Sequence, residues 1–309
     1  EYDRLFERHI IPALGNKAIG DVTLKDVTTL HSAHRKTPAL ANRIITLLGT
    51  LVLWSESRGY RPRGTNPVRE VEKYPEQFRE RYLTPEEVGR LGAALTRAEK
   101  EGLRPSPAEQ KKPKSRATQK HRTKDWDKLI PADPFAVAAI RFLALSGWRR
   151  SEALSLRWGN VDLTRGMATL PHSKTGRSYR QLGAPAVAVL EGLPRDKGNP
   201  WVFPSALNPG GHLSEVRRTW TSVRHEAGLD DVRLHDLRHN LASWAVGGGT
   251  SLFAVGALLG HVRAATTERY AHLQQDAKRI AADAVSSEIA AALDGKKGGR
   301  VTPLRGGRG

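Results

Sequence analysis

Leu234-His235-Asp236-Leu237-Arg238-His239-Asn240-Leu241-Ala242-Ser243-Trp244 sets two histidines and an arginine within five consecutive positions and then turns apolar. On a helix, positions three apart share a face, so His235 and Arg238 can point at one phosphate. Arginine carries a fixed fork of donors suited to phosphate oxygens, and histidine gives or takes a proton near neutral pH. Taken alone, such a pair more often does no more than hold a helix surface. Its meaning depends on what the rest of the chain places around it.

Upstream stands Ser146-Gly147-Trp148-Arg149-Arg150-Ser151-Glu152. Gly147 ends one helix and Arg149 begins the next, with Glu152 three residues on, where it can orient Arg149 or brace the backbone. A corner of solvated arginines is the alternative. Met167 to Leu170 and Ser178 to Leu182 read as strands, and His172-Ser173-Lys174-Thr175-Gly176-Arg177 supplies the turn of a hairpin. Lys174 at its tip can swing an ammonium into a groove to protonate a leaving oxygen, or it simply solvates the turn. Downstream, Leu258-Leu259-Gly260-His261 closes a helix, and Tyr270 follows nine residues later (270 − 261). A tyrosine hydroxyl has a pKa near 10, so about one in a thousand is ionised at pH 7. To attack well it needs cationic neighbours and a proton acceptor. Without them a tyrosine is ordinarily a half-buried packing residue.

Composition narrows the partner. The 309 residues hold 50 Lys plus Arg against 32 Asp plus Glu, a formal net charge of +18. Such self-repulsion opposes compactness unless a polyanion neutralises it, and basic residues gain affinity for nucleic acid by displacing counterions from phosphates. The chain has no cysteine. A disulfide scaffold, a thiol nucleophile and cysteine-ligated zinc are therefore excluded. The sequence offers no HExxH and no paired aspartate cluster to hold a metal. No uninterrupted apolar run of about 18 residues is present, so no membrane span is expected. No signal peptide is visible, although the chain opens at Glu1 rather than Met, as a processed or truncated product would.

The expected fold class is mainly α with a small antiparallel β-sheet, in two domains. Ala41 to Arg58 carries Ile44, Leu47, Leu48, Leu51 and Val52 on a one-sided stripe, with Gly59 as its stop. Val68 to Arg81 is polar and reads as an interdomain stretch. The expected division is a helical unit over 1–75, a linker over 76–82, a larger domain over 83–294 and a basic Gly-rich tail over 295–309. Thr84-Pro85-Glu86-Glu87 gives the larger domain a capped helix start. Residues 97–128 read as a basic insertion, lying on DNA or merely solvated. Asp133-Pro134 opens a helix that Gly147 closes. Residues 212–293 read as helices broken by glycine, with Gly247 to Gly249 a loop. Leu273 to Leu293 has apolar positions at Ile280, Ala284, Ile289 and Leu293, suited equally to docking on another protomer or to self-packing.

In combination the clusters resemble the tyrosine recombinases, the phage-integrase family. SGWRRSEALSLRW, beginning at Ser146, resembles the family's first arginine box, and HSKTGRSYRQL, beginning at His172, its lysine hairpin. LHDLRHNLASW and LLGHVRAATTERYAHL resemble its second box and the surroundings of its tyrosine. NRIITLLGTLVLWSESRGYRPRGTNP, beginning at Asn42, is similar with less specificity to the family's core-binding domain. Asn240 stands where a threonine is expected, as does Ser146, and neither position is expected to carry chemistry.

The resemblance implies a helical core-binding domain joined to a catalytic domain that cuts and rejoins double-stranded DNA without metal, ATP or other cofactor. Tyr270 would attack the scissile phosphate and form a 3′-phosphotyrosine. Arg149 and Arg238 would clamp the non-bridging oxygens, and Lys174 would protonate the 5′ oxygen. His235 would manage the tyrosine proton, His261 would donate to the phosphate, and Glu152 would support. Arg43, Arg58, Thr175 and Arg180 are candidate DNA contacts. The implied partners are DNA recombination sites, three further protomers in a synaptic tetramer, and DNA-bending or directionality proteins. The implied location is the cytoplasm of a bacterium, on the nucleoid. A type IB topoisomerase-like enzyme and a catalytically silent DNA-binding regulator are the competing readings.

Overall fold

The computed structural model describes residues 2–76, 80–106, 129–173, 176–195, 198–261 and 264–294. Its contacts divide the chain into two compact units, Glu1–Glu80 and Arg81–Gly309.

The first unit is helical: α1 (Tyr2–Leu5), a π-turn (Phe6–Ile10), α2 (Ile11–Leu14), α3 (Leu24–Ala33) and α4 (Pro38–Ser57), then a 3₁₀ turn (Pro67–Glu70). Thr23 starts α3 with a capping box: its hydroxyl accepts from the Asp26 amide while the Asp26 carboxylate accepts from Thr23. α4 is long and apolar enough to cross a membrane by length and composition alone. One face of it, Ile44, Ile45, Leu48 and Val52, is instead buried against Leu5, Ile10, Val27 and Leu30.

Val68 to Glu76, read from sequence as part of the interdomain stretch, is fastened to this unit. Val68 and Val71 pack on its core, and Tyr74 stacks on His31 with ring centroids 4.0 Å apart. Buried Asn42 donates to the Tyr74 carbonyl and to Glu76 Oε1, and it accepts from the Tyr74 amide. A polar composition here reflects a hydrogen-bonded strap rather than solvated chain.

The second unit is mainly helical with one three-stranded antiparallel sheet in the order β1-β2-β3. Its elements begin with α5 (Pro85–Lys100) and α6 (Pro134–Ser146). α7 (Arg150–Leu154), β1 (Val161–Asp162), β2 (Met167–Ser173), β3 (Gly176–Gln181) and α8 (Ala184–Glu191) follow. The last are α9 (Arg217–Glu226), α10 (Asp236–Gly247), α11 (Leu252–Leu259), α12 (Ala265–Glu268) and α13 (Gln274–Leu293). Thr84 and Glu87 form the expected capping box of α5. Arg81 reinforces it by donating to both Glu87 oxygens, at 2.8 and 2.7 Å. These bonds hold the Glu87 carboxyl near 2.

α5 runs through Lys100 with Ala98 buried, so the helix continues past position 97, where the sequence places the start of the insertion. Residues 107–128, the body of that insertion, and the tail from 295 lie outside the described residues. The hairpin strands are longer than expected because the pairing continues from Met167↔Gln181 to Ser173↔Gly176, with a register shift after Leu170. Gly247 belongs to α10 rather than to the loop after it. On α13, Ile289 and Leu293 are exposed. The side chains of Ile280 and Ala284 are outside the described ones.

Candidate active site

Three local features set Arg149. Asp133 caps α6 by accepting from the Phe135 and Ala136 amides. Gly147 closes that helix in the left-handed conformation, φ 63°. This turn delivers Arg149 as the N-cap of α7 with an extended backbone. Glu152 then grips Arg149 at two points: Nη1 donates to Oε1 at 2.8 Å, and the backbone amide donates to Oε2 at 3.3 Å. The Glu152 side chain is 9% exposed and that of Arg149 36%. The guanidinium is thus held on one side and open on the other.

Arg238, on the first turn of α10, is buried. Its Nη1 donates to the Gly147 carbonyl at 2.7 Å and its Nη2 to the Leu259 carbonyl at 2.8 Å. It ties together the ends of α6 and α11, the segments that lead into Arg149 and His261. Burial, then repulsion from Arg149, bring its pKa down to about 10, still protonated at neutral pH.

Arg180 on β3, expected from sequence as a DNA contact, is 4% exposed. Its guanidinium lies against Gly260, where any Cβ would overlap it, and Nη2 stands 3.7 Å from Glu152 Oε1. Its Nε has no hydrogen-bond partner among the described residues. Burial, opposed by Glu152, lowers its pKa. Arg180 is therefore a buried residue beside Glu152 and Gly260. Gly260 permits this approach by its missing side chain and by its left-handed φ of 66°.

His261 follows Gly260. Its Nδ1 lies 2.9 Å from the Thr267 hydroxyl, which leaves Nε2 for an outside group. Burial first, then Arg238 and Arg149, hold it near pKa 4. Thr267 itself is buried.

Tyr270 is 1% exposed and packs with Ala242, Val246, Val255 and Leu259. Its hydroxyl is 2.5 Å from Nδ1 of His239. Burial raises its pKa against the opposing pull of Arg269 and Arg238. His239 is pushed to about 4, first by burial and then by His235 and Arg269. His235 is the exposed N-cap of α10 and meets His239 edge-on, with centroids 4.9 Å apart. The partner of the Tyr270 hydroxyl is thus His239, which sequence reasoning left without a role, and Thr267 was likewise unassigned. Asn240, expected to be incidental, accepts from the Leu83 amide at 2.8 Å and pins the entry segment to α10.

The structure brings together Arg149, Glu152, Arg180, Arg238, His261, His235 and Tyr270 through the contacts above. Lys174 and Thr175 lie outside the described residues. Arg43 is exposed on α4, and Arg58 sits over the Trp54 ring at 5.6 Å in the same unit. Among the described residues no group of three or more His, Asp or Glu side chains is placed to hold a metal ion.

The sequence profile of the phage integrase family matches residues 108–277, more than half of the chain. The chain belongs to the phage integrase family. Among curated proteins, this family member is 31% identical over 150 residues to the integrase of Salmonella phage P22, covering 44% of this chain and 38% of that one. It is 35% identical over 143 residues to the tyrosine recombinase XerC of Xanthomonas axonopodis pv. citri (strain 306), covering 44% and 46%. The chain thus matches less than half the length of either relative. Its fold is shared with the Tn1549 transposon integrase in complex with transposon right end DNA, at a TM-score of 0.63 and 14% identity, covering 92% of each chain. The lambda integrase dimer bound to a COC' core site is similar at a TM-score of 0.60 and 17% identity, covering 87% of this chain and 86% of that one.

Proposed function

We propose that this chain is a site-specific recombinase that cleaves and rejoins double-stranded DNA through a covalent bond between Tyr270 and a 3′ phosphate. The observation that carries the reading is the convergence of Arg149, Arg238 and His261 around the segment that holds Tyr270. Arg238 binds the carbonyls that end α6 and α11, so one buried side chain sets the approach of both Arg149 and His261.

The chemistry follows from these groups. Arg149, gripped by Glu152, presents its open side to non-bridging oxygens as a preorganised donor. His261, fixed through Nδ1, offers Nε2 as a further donor. Tyr270 Oη attacks phosphorus as the bond to the 5′ oxygen breaks, and Lys174 returns a proton to that oxygen. The phosphotyrosine conserves the bond energy, so the 5′ hydroxyl can attack it and rejoin the strand. This scheme requires no metal and no ATP.

Recombination joins two duplexes, so the working assembly is a homotetramer on synapsed DNA, acting in the bacterial cytoplasm. The net charge of +18 supports the choice of polyanion. The domain assignment follows: residues 1–75 bind the DNA core and 83–294 carry the chemistry, with 76–82 between them.

The test is covalent capture. Sheared, nicked genomic DNA from the organism that encodes the chain is incubated with it without added metal, denatured in detergent and collected on protein. Linked DNA with the wild type and none with Tyr270→Phe is the expected result. Salt-sensitive binding with no linkage in either protein would replace this reading with that of a silent DNA-binding regulator.

A further inference from the structure

We infer that His239 is the residue that holds the Tyr270 hydroxyl for attack and receives its proton, a role distinct from that of His235. This rests on the recombinase reading above. Oη of the buried Tyr270 and Nδ1 of the half-buried His239 are 2.5 Å apart. In the tautomer with its proton on Nε2, the phenol donates and Nδ1 accepts. His235 makes no such contact: it stands at the exposed helix start and touches the edge of the His239 ring. Helix geometry explains the choice. His239 lies one position, about 100°, beyond Arg238, so Arg238 turns to Gly147 and Leu259 while His239 turns to Tyr270.

The charged and titratable groups facing His239 are His235, Asp236 and Arg238 on its own helix, and Arg269 beside Tyr270. His261 also senses it. The cations and burial keep the ring neutral in free protein, which is the form that can accept. A DNA phosphate bound at Arg149 and Arg238 offsets that positive field and strengthens the base when the substrate is present. In the step itself the Oη–P bond forms and the P–O5′ bond breaks. The phenolic proton moves to His239 Nδ1, and the 5′ oxygen takes a separate proton from Lys174. In rejoining, the 5′ hydroxyl gives its proton back to Lys174, the O5′–P bond forms as the Oη–P bond breaks, and His239 returns its proton to Tyr270.

The test uses the full chain and the nicked duplex captured by the wild type, so a wild type that forms no adduct defeats the recombinase reading before His239 is examined. His239→Leu removes the acceptor. His239→Asn keeps an acceptor near Nδ1 but cannot take a proton. Adduct formation is expected to fall roughly 100-fold or more in His239→Leu, the usual contribution of a positioned base. In His239→Asn the loss should be smaller, and the rate should climb with pH toward tyrosine ionisation. Circular dichroism and salt-dependent binding of the same duplex should match the wild type in His239→Asn, which separates this role from a structural one. A duplex with sulfur at the bridging 5′ position needs no proton on its leaving group. It should rescue Lys174→Ala and fail to rescue His239→Leu. Wild-type rates in His239→Leu, a wild-type rate and pH profile in His239→Asn, or rescue of His239→Leu by the sulfur substrate would each overturn the assignment.

Discussion

Arg238 donates to the backbone carbonyl of Gly147, 91 positions earlier in the chain, at 2.7 Å. The same buried guanidinium donates to a second helix-end carbonyl, that of Leu259, at 2.8 Å. This makes Arg238 both a structural pin and a cation in the site. Arg238→Ala is expected to cost roughly 1–3 kcal/mol for each carbonyl left unpaired, seen as a lower urea midpoint, and to abolish adduct formation. Arg238→Lys restores the charge but not the fork. It should recover part of the stability and little of the activity.

Gly147 itself is held at φ 63°, and a Cβ there would stand 2.9 Å from Leu259 Cδ2 and 3.3 Å from Leu241 Cδ2. Gly147→Ala combines left-handed strain of about 1–2 kcal/mol with a clash in a packed layer. Chemical denaturation should show a loss of at least that size. An unchanged midpoint would mean the turn relaxes freely.

Thr267 orients His261 through a 2.9 Å contact to Nδ1. Thr267→Val keeps the shape and removes the oxygen. About 1 kcal/mol of lost hydrogen bonding translates to a fall of several-fold in adduct rate, with duplex affinity unchanged. Equal rates for the two proteins would remove Thr267 from the site.

Acid should weaken the second unit before carboxylates matter. His239 and His261 both sit near 4 in the folded chain, below the usual value of about 6.5. The unfolded chain therefore binds protons between those limits that the folded chain refuses. Their contribution is complete above about pH 6.5 and is lost as pH falls through that window toward 4. Glu87, held near 2, loses its contribution at lower pH, between its usual value of about 4.3 and 2. Urea midpoints at pH 7.5, 6 and 5 should decline, and His239→Asn should flatten the decline. An identical slope in the variant would contradict the cause.

Local signals carried much of the architecture. Thr84 and Glu87, Asp133, Gly147 and the alternating strands each act within a few residues, so spacing alone reveals them. The strap at 68–76 was not legible because its polar residues are satisfied by Asn42, some thirty positions away. Distance along the chain likewise hid His239, 31 positions from Tyr270, and Asn240, 157 from Leu83. His235 and His239 differ by one helical turn in sequence, and only the packing of Tyr270 against α10 distinguishes them. The burial of Arg180 is not legible either, because nothing in the hairpin announces that Gly260 leaves room for its guanidinium.

The most direct test is to find which atom carries the DNA. The captured adduct is digested with nuclease and protease, and the modified peptide is sequenced by mass spectrometry. The expected result is a nucleotide phosphate on the peptide containing Tyr270, attached at the tyrosine. The same modification on any other side chain, or DNA linked through a 5′ phosphate, would contradict it.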